Sequence, residues 1–567
     1  MHWVLMSMGA IVSTLVQTQV TYAGQVPEQI IFNDLLQDVN HKLLESREAR
    51  SCSGVQITLS CGNGICQRNK GENEVTCPLD CIDAYVKSYN SQTFCREIKE
   101  LSFPQSAEEV QAIVRQAISD GRRVKALGRA HSTSGLICSN GVVIVMENLN
   151  KIVGLEKNSL GQEFVNLEPG VNIEQLTEWL HSRGRSLGVA LAGFRGLSIG
   201  GAIATGVHGS SIKNTAVISS LVEAVSLIDG HGERREFDRS SSDQKFFKAV
   251  TANLGMLGVV VQLKLRVQRQ FNLRIHTSYD DDFTLFGKKG LEKEISSCDY
   301  GLISWFPHSR KMMKICGVKT AEKEHLGAQN VLLNPFVPQF IIDPYKVVLH
   351  YGACFSGLNC MIEDLRYATL RLFPPFQFKN DLGYPFYTYD LVGPSHRMIT
   401  SSLTRSQKEV LETDWEIAVP MSKAQKALEY MQRFLAQNKV CLPLLGVLIR
   451  FAPADDASLL AHTVAQGEFK KSEPAVLFEI PSYQPTGFNE DQLSSYQRPF
   501  EEFAQTLIRD FSGRAHWGKN SDSIFKYQKQ FNRYGENLTQ FENVRRELDP
   551  EGRFKNSFSE WVAPDLK

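Results

Sequence analysis

Three short stretches hold the residues with chemistry to offer. In Leu127-Gly128-Arg129-Ala130-His131-Ser132-Thr133-Ser134-Gly135 an apolar run gives way to small residues, with a single imidazole in the turn. Small side chains let backbone N–H groups approach an anion such as a pyrophosphate. His131 is the one strong nucleophile or base there. On its own this loop reads first as a tight turn bearing an exposed histidine. The second stretch, Ala192 to Ser211, is small residues almost throughout, with Ser198, Thr205 and Ser210 as hydroxyl donors. It departs from Gly-x-Gly-x-x-Gly and does not open a helix directly after a strand, which disfavours a Rossmann nucleotide site. The third, Ser512 to Asn520, comes close to Gly-x-x-x-x-Gly-Lys-[Ser/Thr]. Asn520 stands where a magnesium-binding hydroxyl belongs and a helical pattern precedes it, so a P-loop is rejected. Two glycine-rich loops in one region point to a group packed against bare backbone.

The elements around these loops alternate. Ser106 and Glu109 form a capping box ahead of Val110, Ile113, Val114, Ala117 and Ile118, a helix that Gly121 ends. Strands are expected just before His131 and at 142–146, 152–155 and 164–167. Asn172 caps a second helix carrying Ile173, Leu176, Trp179 and Leu180. A hairpin turns at Asp229-Gly230, and 259–267 alternates apolar with charged positions as a half-buried strand does. This is an α+β or α/β pattern, not a bundle or sandwich. Residues 271–500 are less legible. Trp305, Met312, Cys316 and the apolar run at 331–351 point to a second domain with a sheet, a strand at 415–419 precedes a helix at 423–435, and Tyr384–Tyr389 reads as an aromatic loop that could line a pocket.

With 567 residues the chain exceeds one simple core, so two large domains are expected. Its 62 basic and 62 acidic side chains cancel, which argues against a nucleic-acid partner. An apolar run from Trp3 to Val16, closed by Ala23-Gly24 before the first charge at Glu28, reads as a signal peptide over 1–23. Six of the twelve cysteines lie between Cys52 and Cys95, so 24–95 reads as a disulfide-stapled module of an oxidising compartment. Zinc at Cys61, Cys66, Cys77 and Cys81 is the weaker alternative, because the gaps do not form paired Cys-x-x-Cys knuckles. Calcium at Asn63, Glu72, Glu74 and Asp80 is weaker than a solvated loop. The sequon Asn537-Leu538-Thr539 agrees with secretion.

Together, Gly128-Arg129-Ala130-His131-Ser132, the run from Ser198 through Gly200-Gly201 and Thr205 to His208-Gly209-Ser210, and His516-Trp517-Gly518-Lys519 resemble the FAD-linked aldonolactone oxidases of the vanillyl-alcohol oxidase superfamily. The resemblance runs from about residue 96 to the C-terminus. It implies an α+β fold with a two-lobed, PCMH-type FAD-binding domain at 96–270. A substrate domain at 271–510 would lay a large antiparallel sheet over the flavin, and 511–567 would complete the site. It further implies FAD bonded covalently through His131 to the flavin C8 methyl. Residues 128–132, the loop with Ser198, Gly200, Gly201, Thr205, His208, Gly209 and Ser210, and Val259 would lie against the cofactor. Lys519 would place a cation near the flavin N1–C2=O edge, with His516 beside it. Many relatives carry Glu-x-Arg on the strand at 447–451, and here only Arg450 remains, with Leu448 in the place of the acid. Glu416 is the acidic candidate nearby.

No metal is expected in this site. The expected activity is oxidation of a sugar lactone, hydride passing to the flavin and then to O2 to give peroxide and an ascorbate-type product. The rivals are an alditol or other carbohydrate alcohol oxidase, and a secreted binding protein that kept the fold without turnover. Peripheral membrane association and a secretory location complete the expectations.

Overall fold

The computed structural model describes residues 81, 86–190, 196–240, 243–332, 339–354, 356–372, 374–398, 412–471, 473–485 and 487–562. The signal peptide, the calcium alternative, Cys61, Cys66 and Cys77 of the zinc alternative and Ala192–Arg195 lie outside the described residues, whereas Cys81, the fourth cysteine, is described and is disulfide-bonded.

The N-terminal half builds two sheets around one connection. Parallel strands Glu100–Ser102, Val142–Val145 and Val124–Leu127 form a three-stranded sheet. The helix Ala107–Ser119 covers it, burying Val110, Val114 and Ala117. Ser106 caps that helix by accepting from the Glu109 amide at 3.2 Å, while Glu109 reaches back to Gln105 N instead of Ser106 N. The expected capping box is therefore displaced by one residue at its acidic end. The second sheet is antiparallel, with Arg234–Asp238, Val222–Ile228, Val259–Arg269, Glu163–Leu167 and Ile152–Lys157 side by side. Its helix Ile173–His181 starts at Asn172, whose side chain accepts from Gln175 N at 2.7 Å.

An eight-stranded antiparallel sheet dominates the C-terminal half. Four of its neighbouring strands matter for function: Val447–Pro453, Pro474–Tyr483, Glu412–Pro420 and the two-residue Arg514–Ala515. Trp415, Ile417 and Val419 bury one face of the Glu412–Pro420 strand in the largest core. That core also takes Leu428 and Met431 from the helix Met421–Gln437, and Phe503 and Leu507 from Glu490–Asp510. Two expectations fail here. Part of the apolar run at 331–351 is the helix Gln339–Cys354, because a buried apolar run carries no period that separates strand from helix. The aromatic stretch is no pocket wall. Pro385–Thr388 pairs with Phe376–Lys379 as a hairpin whose Tyr384, Phe386 and Tyr387 are exposed.

Among the described residues, disulfides join Cys95 to Cys138, Cys298 to Cys316 and Cys360 to Cys441. Cys95 thus leaves its crowded cysteine neighbours and ties residues 86–95 to the flavin-binding half. The sequon's Asn537 spends its amide on Leu459 O at 3.2 Å within the helix Gly535–Leu548. No helix among the described residues is long and apolar enough to cross a membrane.

Candidate active site

The strand Val124–Leu127 delivers the His131 loop to the mouth of a cavity that encloses about 1150 Å³ of empty space, its opening included. Gly128, Arg129, Ala130, His131 and Ser132 line it, and so do Ser198, Gly200, Gly201 and Thr205 from the second glycine-rich loop. The close approach of the two loops explains their composition. A Cβ on Gly128 would come within 2.0 Å of Ser198 Oγ, and one on Gly200 within 2.7 Å of the Pro169 ring. Ala130 sits at φ +52°, a left-handed conformation that a β-branched or bulky residue would hold only under strain. This bare-backbone cradle suits a large flat cofactor with an anionic tail. The buried Lys125 also faces it; its ammonium donates to Leu254 O at 2.9 Å, and burial pushes its pKa down to about 7.

Four expected cofactor residues sit elsewhere. Val259 is buried in the core with Ile228 and Val261, and its neighbour Val260 lines the cavity, as strand alternation requires. His208 points away, toward Glu416. Gly209 pairs its amide with Ala216 O, and Ser210 Oγ bridges Gly301 O and Phe451 N. These last residues dock the loop on the large sheet and do not touch the cavity.

The opposite wall comes from the sheet. Asp414, His516, Gly518 and Lys519 line the same cavity as His131, together with Tyr89. Lys519 is held by carboxylates: Glu416 at 2.8 Å, Glu479 in closer contact, and Asp414 at 3.8 Å. Arg450 shares two of them, contacting Glu416 at 2.6 Å and also Glu479. Burial opposes charge on Lys519, yet Glu416 and Glu479 keep it protonated well above neutral pH. Burial likewise opposes ionisation of Glu416, and Arg450 and Lys519 overcome it, holding the carboxyl well below the usual range. Burial pushes Asp414 up to about 7 against the pull of Lys519. Glu412 rises to about 8 through burial and the neighbouring Asp414 and Glu479. Arg450 and Glu416 are not on the cavity wall. They sit behind Lys519 and fix it.

Asn520 explains why the resemblance of this turn to a P-loop is accidental. It adopts φ +68°, a conformation asparagine tolerates. Its side chain accepts from Glu416 N at 3.1 Å and donates to Glu416 O at 3.0 Å. The turn bearing Lys519 is thereby clamped to the strand bearing Lys519's partner.

Several site residues escaped the sequence reading. Glu412 and Asp414 alternate along one strand with Glu416, the candidate already named, and so share its face, a pattern that was available as a signal. Glu479 and His462 gave none, because each is a lone polar residue in an apolar stretch. Tyr89 stacks on His131 with ring centroids 4.7 Å apart and donates to Glu412 Oε1 at 3.4 Å. It belongs to a segment read as part of a separate cysteine module.

Comparison with known proteins bears on this geometry. The profile of the FAD binding domain matches residues 99–238. That of the D-arabinono-1,4-lactone oxidases matches residues 263–563, more than half of the chain. The chain belongs to the D-arabinono-1,4-lactone oxidase family. As a member it is an FAD-dependent oxidoreductase that uses oxygen. The L-gulonolactone oxidase of Mus musculus is 25% identical over 459 residues, covering 81% of this chain and 94% of that protein. The D-arabinono-1,4-lactone oxidase of Eremothecium gossypii is 27% identical over 500 residues, covering 80% and 90%. Among solved structures, a cholesterol oxidase from B. sterolicum superposes with a TM-score of 0.68 over 84% of this chain and 96% of that one, at 16% identity. That likeness establishes the family fold: a FAD-binding region joined to a large antiparallel sheet.

Proposed function

We propose that this chain oxidises a sugar lactone of the L-gulono- or D-arabinono-1,4-lactone type, forming an ascorbate-type product and hydrogen peroxide. The observation that carries the reading is the single cavity shared by the His131 loop and Lys519, in a chain of this family. Bound FAD supplies the hydride acceptor. His131 is the residue to bond it covalently, and Gly128 to Ser132 with Ser198, Gly200, Gly201 and Thr205 form its bed.

The chain's own groups divide the remaining work. Lys519, kept cationic by Glu416 and Glu479, stabilises negative charge developing beside it in a pocket of low dielectric. Asp414 is the carboxylate on the cavity wall, so it takes the substrate hydroxyl proton at its side-chain oxygen while His516 offers a second polar contact. Tyr89 packs over His131 and excludes water from that side. The disulfides accord with passage through the secretory pathway.

Peroxide release from the purified protein tests the reading. Gulono-, galactono- and arabinono-1,4-lactones are expected to support turnover, and xylitol and sorbitol are not. Activity on the polyols alone would replace the lactone with an alditol, and a yellow protein reduced by neither class would leave a binding protein.

A further inference from the structure

Behind Lys519, four parts of the chain bring His208, Glu416, His462 and His516 together. Their potential ligand atoms all lie within 4.8 Å of one another. All four are buried, His462 and Glu416 at 0% exposure. Hydrogen bonding leaves His462 unaccounted for. His208 Nδ1 faces Gly209 O at 2.9 Å and must carry a proton there. Its Nε2 faces Glu416 Oε1 at 2.5 Å, so the second ring nitrogen and the carboxylate oxygen are both aimed at the middle of the cluster. Neither ring nitrogen of His462 has a hydrogen-bond partner among the described residues. Its ring centroid lies 5.1 Å from that of His208 and 4.5 Å from that of His516. A buried imidazole with both nitrogens unsatisfied is costly, and a ligand relieves the cost.

Acidic and basic side chains meet beside the cluster. Glu412, Asp414, Glu416 and Glu479 share this part of the sheet, and the permanent cations beside them are Lys519 and Arg450. Lys519 and Arg450 both pair with Glu416 and Glu479, so the place of an ion here is set by the histidine cluster and not by an excess of acid.

We propose that His208 Nε2, a ring nitrogen of His462 and Glu416 Oε1 bind one divalent first-row cation, with zinc the best chemical match. Two imidazoles and a carboxylate are a ligand set zinc favours in tetrahedral sites with one further position, here available to water. The Nδ1–H of His208 on a backbone carbonyl is the outer contact that fixes a metal-binding tautomer. Glu416 Oε2 stays with Arg450 and Lys519. His516 accepts the Gly518 amide on Nδ1 at 3.0 Å, so its neutral ring keeps a proton on Nε2 and flanks the ion without binding it. Zinc bonds near 2.0 Å set neighbouring ligand atoms about 3.3 Å apart, so the short His208–Glu416 contact opens and the wider ones close as the ion enters. The three ligands come from the second glycine-rich loop, the large sheet and the segment around Ala461–Thr463. The ion is therefore a staple that positions Glu416, and through it Lys519; no step of the reaction passes through it.

The test is metal analysis of the full-length, flavin-loaded protein. Wild type, His462→Gln and His208→Asn are stripped by dialysis, offered excess zinc, desalted and measured by inductively coupled plasma mass spectrometry. Metal is counted against bound flavin, which reports folding, and the two variants control for zinc held by the cysteine-rich N-terminal segment. Wild type is expected to carry about one zinc per flavin more than either variant. Wild type loaded with cobalt is expected to show the visible ligand-field bands of a tetrahedral nitrogen–oxygen site, an observation that stands if both variants fail to fold. Equal zinc in wild type and a folded variant, or cobalt without those bands, overturns the proposal and leaves a proton as the cation between His208 and Glu416.

Discussion

Glu479 stands directly across the sheet from Leu448, and its carboxylate contacts both Arg450 and Lys519. On its other side Glu479 is in register with Glu416. On the proposed function, Glu479 thus takes from the next strand the place of the acid that the family resemblance puts at Leu448. Glu479→Leu is expected to lower kcat/KM by about 10²-fold and to cost about 3–5 kcal/mol of stability, since it strands buried cations. Adding Leu448→Glu to that variant moves the carboxylate back by one strand and is expected to recover part of both losses. Peroxide kinetics and thermal melts of the single and double variants check this.

Lys519 is expected to matter for turnover and not for flavin retention, because its neighbours hold it against the reacting end of the cavity. Lys519→Met should lower kcat by about 10²–10³-fold, the range for losing one fixed charge-stabilising donor. Flavin content measured on the same preparation should stay near that of wild type.

His131→Ala is expected to release the flavin on denaturation, whereas denatured wild type stays yellow. Chromophore remaining with the precipitated variant would remove His131 as the attachment point.

Lys125 gives a pH signature. With its pKa near 7 in the cavity, it is neutral at higher pH, and a bound pyrophosphate beside it favours the ammonium form. Binding then takes up a proton above pH 7, so affinity falls as pH rises. In the His131→Ala background, the Kd for FAD should weaken by up to about tenfold per pH unit above 7 and stay flat below it. Lys125→Met should abolish the slope. Fluorescence titration of apoprotein across pH measures both.

The Cys95–Cys138 bond closes 43 residues of chain around the His131 loop and holds the segment whose Tyr89 stacks on His131. Cys138→Ser, paired with Cys95→Ser to avoid a stray thiol, is expected to cost about 2–5 kcal/mol. Thermal melting followed by flavin fluorescence should show the loss.

The cofactor was legible in the sequence through a family resemblance carried by three short motifs taken together. Close backbone approach favours small residues, so the glycines and small side chains of Gly128 to Ser132 and Ser198 to Thr205 stand out before the fold is known, though either stretch alone reads as a turn or an extended loop. Strand alternation and helix caps at Ser106 and Asn172 were equally local, and they placed the elements of the flavin-binding half. The apolar run at 331–351 was misread because a continuous apolar segment has no period to separate helix from strand. The catalytic wall could not be read in this way. Glu416, Glu479 and Leu448 are neighbours only because three strands, far apart in the chain, pair in one register. A shift of one residue would turn each side chain to the other face. Lys519 was visible as a residue in a motif. That three carboxylates hold it, with Arg450 sharing two of them and His208 and His462 meeting behind, was decided by packing the second glycine-rich loop against the sheet, where low dielectric gives those charges their force.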